Sequence, residues 1–295
     1  MPNWTTVTEF LLLGFSDTRE LQILHFVIFL TAYLAALVGN LLVITVVTMD
    51  HHLHSPMYYF LVNLSILDLG SISAIVPQSM ANSLLNTRTI SYAGCVSQVT
   101  LLFLFGSANV AFLTIMAYDR YVAICKPLHY EIIMKRSACV QMVACAWAAG
   151  AINSALHTRN TFSLPFCHSN IINQFFCEVP QLLKLSCSDT YHRELIALAF
   201  SVCLALGCFV FIVVPYVQIF IAVWRIPSEQ GRQKAFSTCI PHLTVVSLFL
   251  STSGIAHTKP ISDSPSLLDL LAAVLYCVVP PLMNPVIYSM RNKEI

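Results

Sequence analysis

Two places in this chain set ionisable side chains where chemistry would follow from them. In Met116-Ala117-Tyr118-Asp119-Arg120-Tyr121-Val122-Ala123-Ile124-Cys125, an acid and an arginine stand side by side directly after a long apolar run. Arginine is permanently charged and forks onto carboxylates, so the pair can hold itself closed or let the arginine swing away. That is a two-state ionic latch, against the plainer reading of a charge pair at a helix end. At Asp68 a carboxylate interrupts a second apolar run, and it is the one acid that reads as deep. An ionisable group at such depth in a membrane is costly and by default functional. Asn40 and Asn284 carry amides that could donate to it, giving a polar core shared by three helices. Catalytic chemistry finds no footing, because no nucleophile with a base is visible in the apolar runs. His51, His52 and His54 have only Asp50 beside them at ligand spacing, so neither a metal site nor any cofactor is expected.

The elements that must position these residues are apolar. Of 295 residues, 57% are hydrophobic and 10% charged, with a mean hydropathy of +0.74. Soluble domains carry roughly 25% charged residues, so most of this surface faces lipid. A net charge of +1 leaves no basic excess for phosphates, which argues against nucleic acid. A helix crossing the hydrocarbon core needs about 20 apolar residues. Seven such runs lie near Leu24 to Met49, Met57 to Met80, Gly94 to Tyr118, Ala138 to His157, Leu195 to Val223, Phe236 to Ala256 and Leu267 to Met290. The expected fold is an all-α membrane protein: a seven-transmembrane helix bundle forming one domain over residues 1–295. Residues 1–23 would form the N-terminal segment, 24–290 the bundle, 158–194 a long loop and 291–295 the start of a tail. With the N-terminus outside, nine Lys and Arg fall on inner segments and six on outer ones, which is the sense that loop charges favour. The C-terminus is then cytoplasmic.

Two further signals agree with that orientation. Asn3-Trp4-Thr5 is a glycosylation acceptor, used only on the lumenal side. Asn63-Leu64-Ser65 fits the same pattern but lies inside the second span. Phe10 to Phe15 is too short and lacks the basic flank of a cleavable signal peptide, so the first span is expected to insert itself. Of 11 cysteines, Cys95 tops the third span while Cys167, Cys177 and Cys187 share the loop after the fourth. Disulfides persist outside the cell, so these four suggest two bridges with three possible pairings. The other seven read as small apolar packing residues.

The string MAYDRYVAIC, followed by Lys126-Pro127-Leu128-His129-Tyr130, resembles the odorant receptors, a branch of the rhodopsin-like G-protein-coupled receptors. So do Leu53-His54-Ser55-Pro56-Met57-Tyr58, Lys234-Ala235-Phe236-Ser237-Thr238-Cys239 and Pro281-Leu282-Met283-Asn284-Pro285-Val286-Ile287-Tyr288-Ser289, with Gly39-Asn40 and Leu64 to Asp68. The resemblance implies a receptor at the plasma membrane, in olfactory cilia, that binds small volatile molecules near its outer face and activates a stimulatory heterotrimeric G protein, raising cyclic AMP. By analogy Arg120, within the Asp119-Arg120-Tyr121 motif, would leave Asp119 on activation and meet the G protein beside Tyr216 and Tyr288, with Asn284 and Pro285 in the last motif. The family pairing implies Cys95 with Cys177, and Cys167 with Cys187. Where many members carry a glutamate completing a sodium site with the second-helix aspartate, this chain has Asn109, so a hydrogen-bonded network around Asp68 is preferred to sodium. Leu250 stands where a tyrosine is frequent, and Pro215 and Pro241 where serine is common, which implies kinks in the fifth and sixth helices unlike the family average.

Aligned this way, Leu102 occupies the place of the aspartate of amine-binding receptors, and Ile261 that of the arginine of acid-sensing ones, although Lys259 is near. A charged ligand would go unpaired. Phe103, Gly106, Ser107, Phe200, Ser201, Ser253 and His257 remain, an apolar surface with neutral polar groups that suits small neutral alcohols, ketones, esters or terpenoids. The plainer readings are serines bonded to their own backbone, phenylalanines facing lipid and an interfacial histidine. A chemosensory receptor acting outside the nose is the alternative within the family. A transporter is the rival outside it, disfavoured because the two halves show no obvious similarity and few charges lie deep.

Overall fold

In lipid the backbone must satisfy its own N–H and C=O groups, which long apolar runs do by forming helices. The computed structural model describes residues 7–13, 18–50, 55–166, 170–187, 192–258 and 267–289, the side chains of 256–258, 267 and 269 excepted. Seven helices in it are long and apolar enough to cross a membrane: α1 (Arg19–Met49), α2 (Pro56–Leu85), α3 (Tyr92–Cys125), α5 (Arg136–Phe162), α7 (His192–Trp224), α8 (Glu229–Thr258) and α9 (Leu267–Ser289). Two short helices, α4 (Tyr130–Ile133) and α6 (Val179–Leu185), lie between them. Each expected span is therefore present. Six of the seven helices run past the apolar stretch at one or both ends. Lipid dictates where apolar residues are needed, whereas the helical ladder continues until a breaker intervenes. The boundaries shift accordingly: α1 already starts at Arg19 inside the expected 1–23 segment, and the loop expected over 158–194 narrows because α5 ends at Phe162 and α7 opens at His192.

Local chemistry fixes the ends. The Ser91 hydroxyl accepts the Gly94 amide at 3.1 Å and so caps α3. Asn86 closes α2 with φ 53°, a left-handed conformation that asparagine tolerates better than most residues. Pro215 and Pro241 sit inside α7 and α8, which continue across them.

Water does not drive helices together inside a membrane, so association rests on close packing. The centre of the bundle is α2 with α3, where Phe60, Leu64, Phe112 and Leu113 are buried. Only 11% of the apolar window of α7 is buried against protein, compared with 56% for α2, so α7 is the peripheral helix. Glycine sets the closest approach. A Cβ at Gly150 of α5 would lie 2.8 Å from the Leu104 carbonyl oxygen of α3. Because that obstacle is backbone, Gly150→Ala must push the two helices apart, with an expected cost of about 1–3 kcal/mol. A lower thermal midpoint in detergent checks this, and an unchanged midpoint would contradict it.

One end of the bundle carries a three-stranded sheet in the order β2-β1-β3, unanticipated from the sequence. Strand β1 (Glu9–Leu12) pairs antiparallel with β2 (Thr89–Ser91), Glu9 opposite Ser91, and parallel with β3 (Ile171–Ile172), Leu11 opposite Ile171. Phe10 is its buried anchor, stacked on Tyr92 and edge-on to Phe166. Below it pack Ile90, Cys95, Ile172, Cys177 and Leu182.

Candidate functional site

Cys95 and Cys177 are disulfide-bonded and fully buried, tying α3 to the segment before α6. This is the bridge implied by the resemblance. Gln98, one turn further along α3, accepts the Cys177 amide at 3.0 Å and donates to the Ala74 carbonyl at 3.1 Å, clamping the same segment. Cys187 is also disulfide-bonded, and its expected partner Cys167 lies outside the described residues. The remaining seven cysteines are free thiols on the helices. Asn3, Lys259 and Ile261 lie outside the described residues, as do His51, His52 and His54. Asn63 is committed inside the bundle, its amide oxygen accepting from the Trp147 indole at 3.1 Å.

Nearer the disulfide end, three of the expected pocket residues come together. Phe103 lies flat on the His157 ring, with centroids 4.1 Å apart and planes 14° apart. His157 is hydrogen-bonded to Glu194 through Nδ1 and to the Ser201 hydroxyl through Nε2 at 2.8 Å. Ser201 donates to Asn153, and Asn153 donates to Ser107, both at 2.8 Å. Helices α3, α5 and α7 are thereby joined by one polar chain. Gly106 borders open space, since a Cβ there would meet nothing within 4 Å, and Gly254 of α8 does likewise. Ser253 is half-buried on α8, and the side chain of His257 lies outside the described set. Phe200 is 57% exposed and takes no part in the cluster, consistent with the plainer reading of a ring facing outward.

At mid-depth, Asn284 donates to Asp68 at 2.9 Å, and both are buried. Asn40 does not join them. Its amide donates instead to the carbonyls of Ala36 and Pro281, each at 2.9 Å. The reason lies in α9: Pro285 has no N–H to offer the carbonyl four residues before it, so the Pro281 oxygen is orphaned and Asn40 fills the vacancy. Gly39 permits the approach, since a Cβ there would stand 3.2 Å from the Pro285 ring. The amide oxygens of Asn40, Asn109 and Asn284 are buried without a protein partner among the described residues, so this core has unused acceptors.

At the opposite end, Arg120 forks onto Asp119, with Nε at 3.1 Å and a second contact from its terminal nitrogen. The side chains are 10% and 1% exposed, so the pair is enclosed rather than solvated. Tyr130 of α4 donates to the other Asp119 oxygen at 2.8 Å. Burial raises the Tyr130 phenol well above its usual range, and the Asp119 charge and hydrogen bond add to this, so it remains a donor at every physiological pH. Tyr121 packs under the Lys126 ammonium, 5.5 Å from its ring centre. Next to the latch, His242 of α8 bridges three helices. Its Nε2 meets the Leu113 carbonyl at 3.0 Å and its Nδ1 meets the Tyr216 hydroxyl at 2.7 Å. A carbonyl only accepts, which puts the proton on Nε2 and leaves Nδ1 to receive the Tyr216 hydrogen. Tyr288 is buried in the same core. An open groove of about 230 Å³ beside it is lined by Tyr121, Cys125, Gln218 and Arg225 among others.

Sequence reasoning missed His157, Glu194, Asn153 and His242. Glu194 is the largest addition, because it is an acid only 1% exposed that the sequence did not mark as buried. Its neighbours His192 and Arg193 make it read as a loop charge. The available signal was its spacing to Ala197 and Ser201, which shares one helix face.

The olfactory receptor family model matches residues 29–295. Human olfactory receptor 14A16 is 52% identical over 295 residues, covering 100% of this chain and 95% of that relative. Human olfactory receptor 14J1 is 52% identical over 292 residues, or 99% and 91% of the two chains. Olfactory receptor 1G1 of Gorilla gorilla gorilla is 45% identical over 293 residues, or 99% and 94%. Seven spanning helices, the Cys95–Cys177 bridge and these matches agree: the chain belongs to the olfactory receptor family, a family of multi-pass G-protein-coupled receptors and not of enzymes.

Proposed function

We propose that this chain binds small neutral odorants in the half of the bundle nearer the disulfide and activates a stimulatory heterotrimeric G protein, raising cyclic AMP. The N-terminus and the disulfide end face outward, residues 291–295 open a cytoplasmic tail, and residues 1–295 act as one receptor domain at the plasma membrane. The observation that carries this reading is the enclosed Asp119–Arg120 pair at the end opposite the disulfide. An arginine held by its own neighbour, and by no residue of α8 among the described residues, is free to exchange that partner for one arriving from the cytoplasm. The bridge from Tyr216 through His242 to Leu113 holds α7, α8 and α3 together at the same level, so displacing α8 breaks it and opens a surface beside Arg120. Asp68 with Asn284 links α2 to α9, and the unused amide oxygens around them suit bound water.

The neutral character of the ligand is supported by the chemistry of the site. Phe103, Gly106, Ser107 and Ser201 bring no charge, and Glu194 is committed to His157 out of ligand reach. A cyclic AMP reporter in cells expressing the chain tests the whole reading against a broad odorant panel. Alcohols, ketones, esters or terpenoids should raise the signal at concentrations where short fatty acids and amines are silent. The reverse pattern would overturn the neutral-ligand reading, and silence toward every class at verified surface expression would overturn receptor function.

A further inference from the structure

The polar chain at the disulfide end has a direction, and that direction decides what the pocket can recognise. Ser201 has one hydrogen, which it gives to Asn153 Oδ1 at 2.8 Å. Its oxygen must therefore accept from His157, which places a proton on Nε2. Nδ1 faces Glu194, so the two side chains hold one further proton between them. They are either imidazolium with carboxylate or imidazole with carboxylic acid, and net neutral in both forms.

The chain could in principle run the other way, with the Asn153 amide turned over, since amide orientation follows the network around it. Ser107 would then donate to Asn153, Asn153 to Ser201 and Ser201 to Nε2, leaving Nδ1–H to face a bare carboxylate. That arrangement carries one unbalanced negative charge. His157 and Glu194 are 0% and 1% exposed, and among the described residues no Lys or Arg pairs with Glu194. A net charge enclosed in a helix bundle is strongly disfavoured, so the neutral direction prevails. The second carboxyl oxygen, Oε2, is buried without a hydrogen-bond partner among the described residues. Phe103, stacked on the imidazole, keeps the ring in the plane that both contacts require.

We propose that His157 and Glu194 are positioning residues that set this direction, so that the pocket offers an acceptor at Ser201 and a donor at Ser107 and selects ligands bearing a hydroxyl group. The proposal rests on odorants occupying this end of the bundle. Ser201 keeps one lone pair and no hydrogen. Ser107 accepts from Asn153 and keeps its own hydrogen, which meets no protein acceptor among the described residues. Both serines are part-exposed, and Gly106, one residue before Ser107, borders open space. An alcohol donates to one serine and accepts from the other. A ketone, ester or ether accepts only, and leaves Ser201 unmatched.

The test is a matched series of one carbon skeleton as secondary alcohol, ketone and methyl ether, read as cyclic AMP potency with surface receptor scored in parallel. The wild type should prefer the alcohol by about fivefold to tenfold, the size of one net hydrogen bond. Ser201→Ala should erase that preference, because the ligand hydroxyl loses its acceptor. His157→Phe, which keeps the stacking on Phe103 and never touches ligand, should erase it too, and His157→Gln, whose amide can donate to Ser201, should restore part of it. A merely structural role for His157 would lower all three potencies together and leave their ratio intact, which would overturn the proposal, as would a wild type that prefers the ketone. Should His157→Phe fail to reach the surface, the ratio in Ser201→Ala decides alone. Silence of the surface-expressed wild type toward every compound would overturn both this proposal and the receptor reading beneath it, whereas a response with an unchanged ratio overturns this proposal only.

Discussion

Asp119→Asn combined with Arg120→Gln is expected to abolish odorant-driven cyclic AMP while leaving the receptor at the cell surface near its parental level. Both parts follow from the enclosed pair. With side chains only 10% and 1% exposed, the two charges compensate each other, and removing them together leaves two neutral polar groups that still have Tyr130 as a donor. Removing one is a different matter. Arg120→Ala strands the Asp119 carboxylate with Tyr130 alone, and breaking a buried pair in this way costs about 3–5 kcal/mol. The single variant should therefore lose signalling and surface expression together, whereas the double variant loses signalling only. Flow cytometry beside the reporter separates the two effects. A double variant that still signals would remove Arg120 from the coupling mechanism.

The second large effect concerns the disulfide. Cys95→Ser should remove most receptor from the surface. The bridge spans 82 residues, and in the chain-entropy picture closing a loop of that size restrains the unfolded chain by about 4–5 kcal/mol. Both sulfurs sit in the fully buried cluster that also holds Phe10 and Leu182, so the loss is felt in packing as well. Cys145→Ser, at an exposed free thiol on α5, is the matched control and should be silent. Equal surface levels for the two variants would show that Gln98 and the sheet hold this end without the bridge.

The spans were legible because lipid imposes one unambiguous requirement, a long apolar run, and α1 meets it without a charge between Leu21 and Met49. Helix ends were not, since α8 begins at Glu229, seven residues before its apolar run at Phe236. The latch could be read from two adjacent letters, Asp119 and Arg120, and the first disulfide from resemblance. The polar core was read only in part. Asp68 and Asn284 meet as expected, but Asn40 turned elsewhere for want of one N–H at Pro285, a debt visible only once α1 and α9 are known to touch. His157 and Glu194 were hidden for a similar reason. They stand 37 positions apart on different helices, and only the spacing of Glu194 to Ala197 and Ser201 hints at its burial.

The sheet also bears on how the chain is made. Strand β1 is synthesised well before its partners, since its antiparallel partner begins at Thr89 and its parallel partner at Ile171. At about 5–20 residues per second, the roughly 160 residues between Leu11 and Ile171 take on the order of ten to thirty seconds to synthesise. The edge facing β3 lacks its hydrogen-bond partners through that whole interval, whereas β2, with Tyr92 beside it, is made about halfway through. Maturation of this end thus awaits the last strand rather than the first helix.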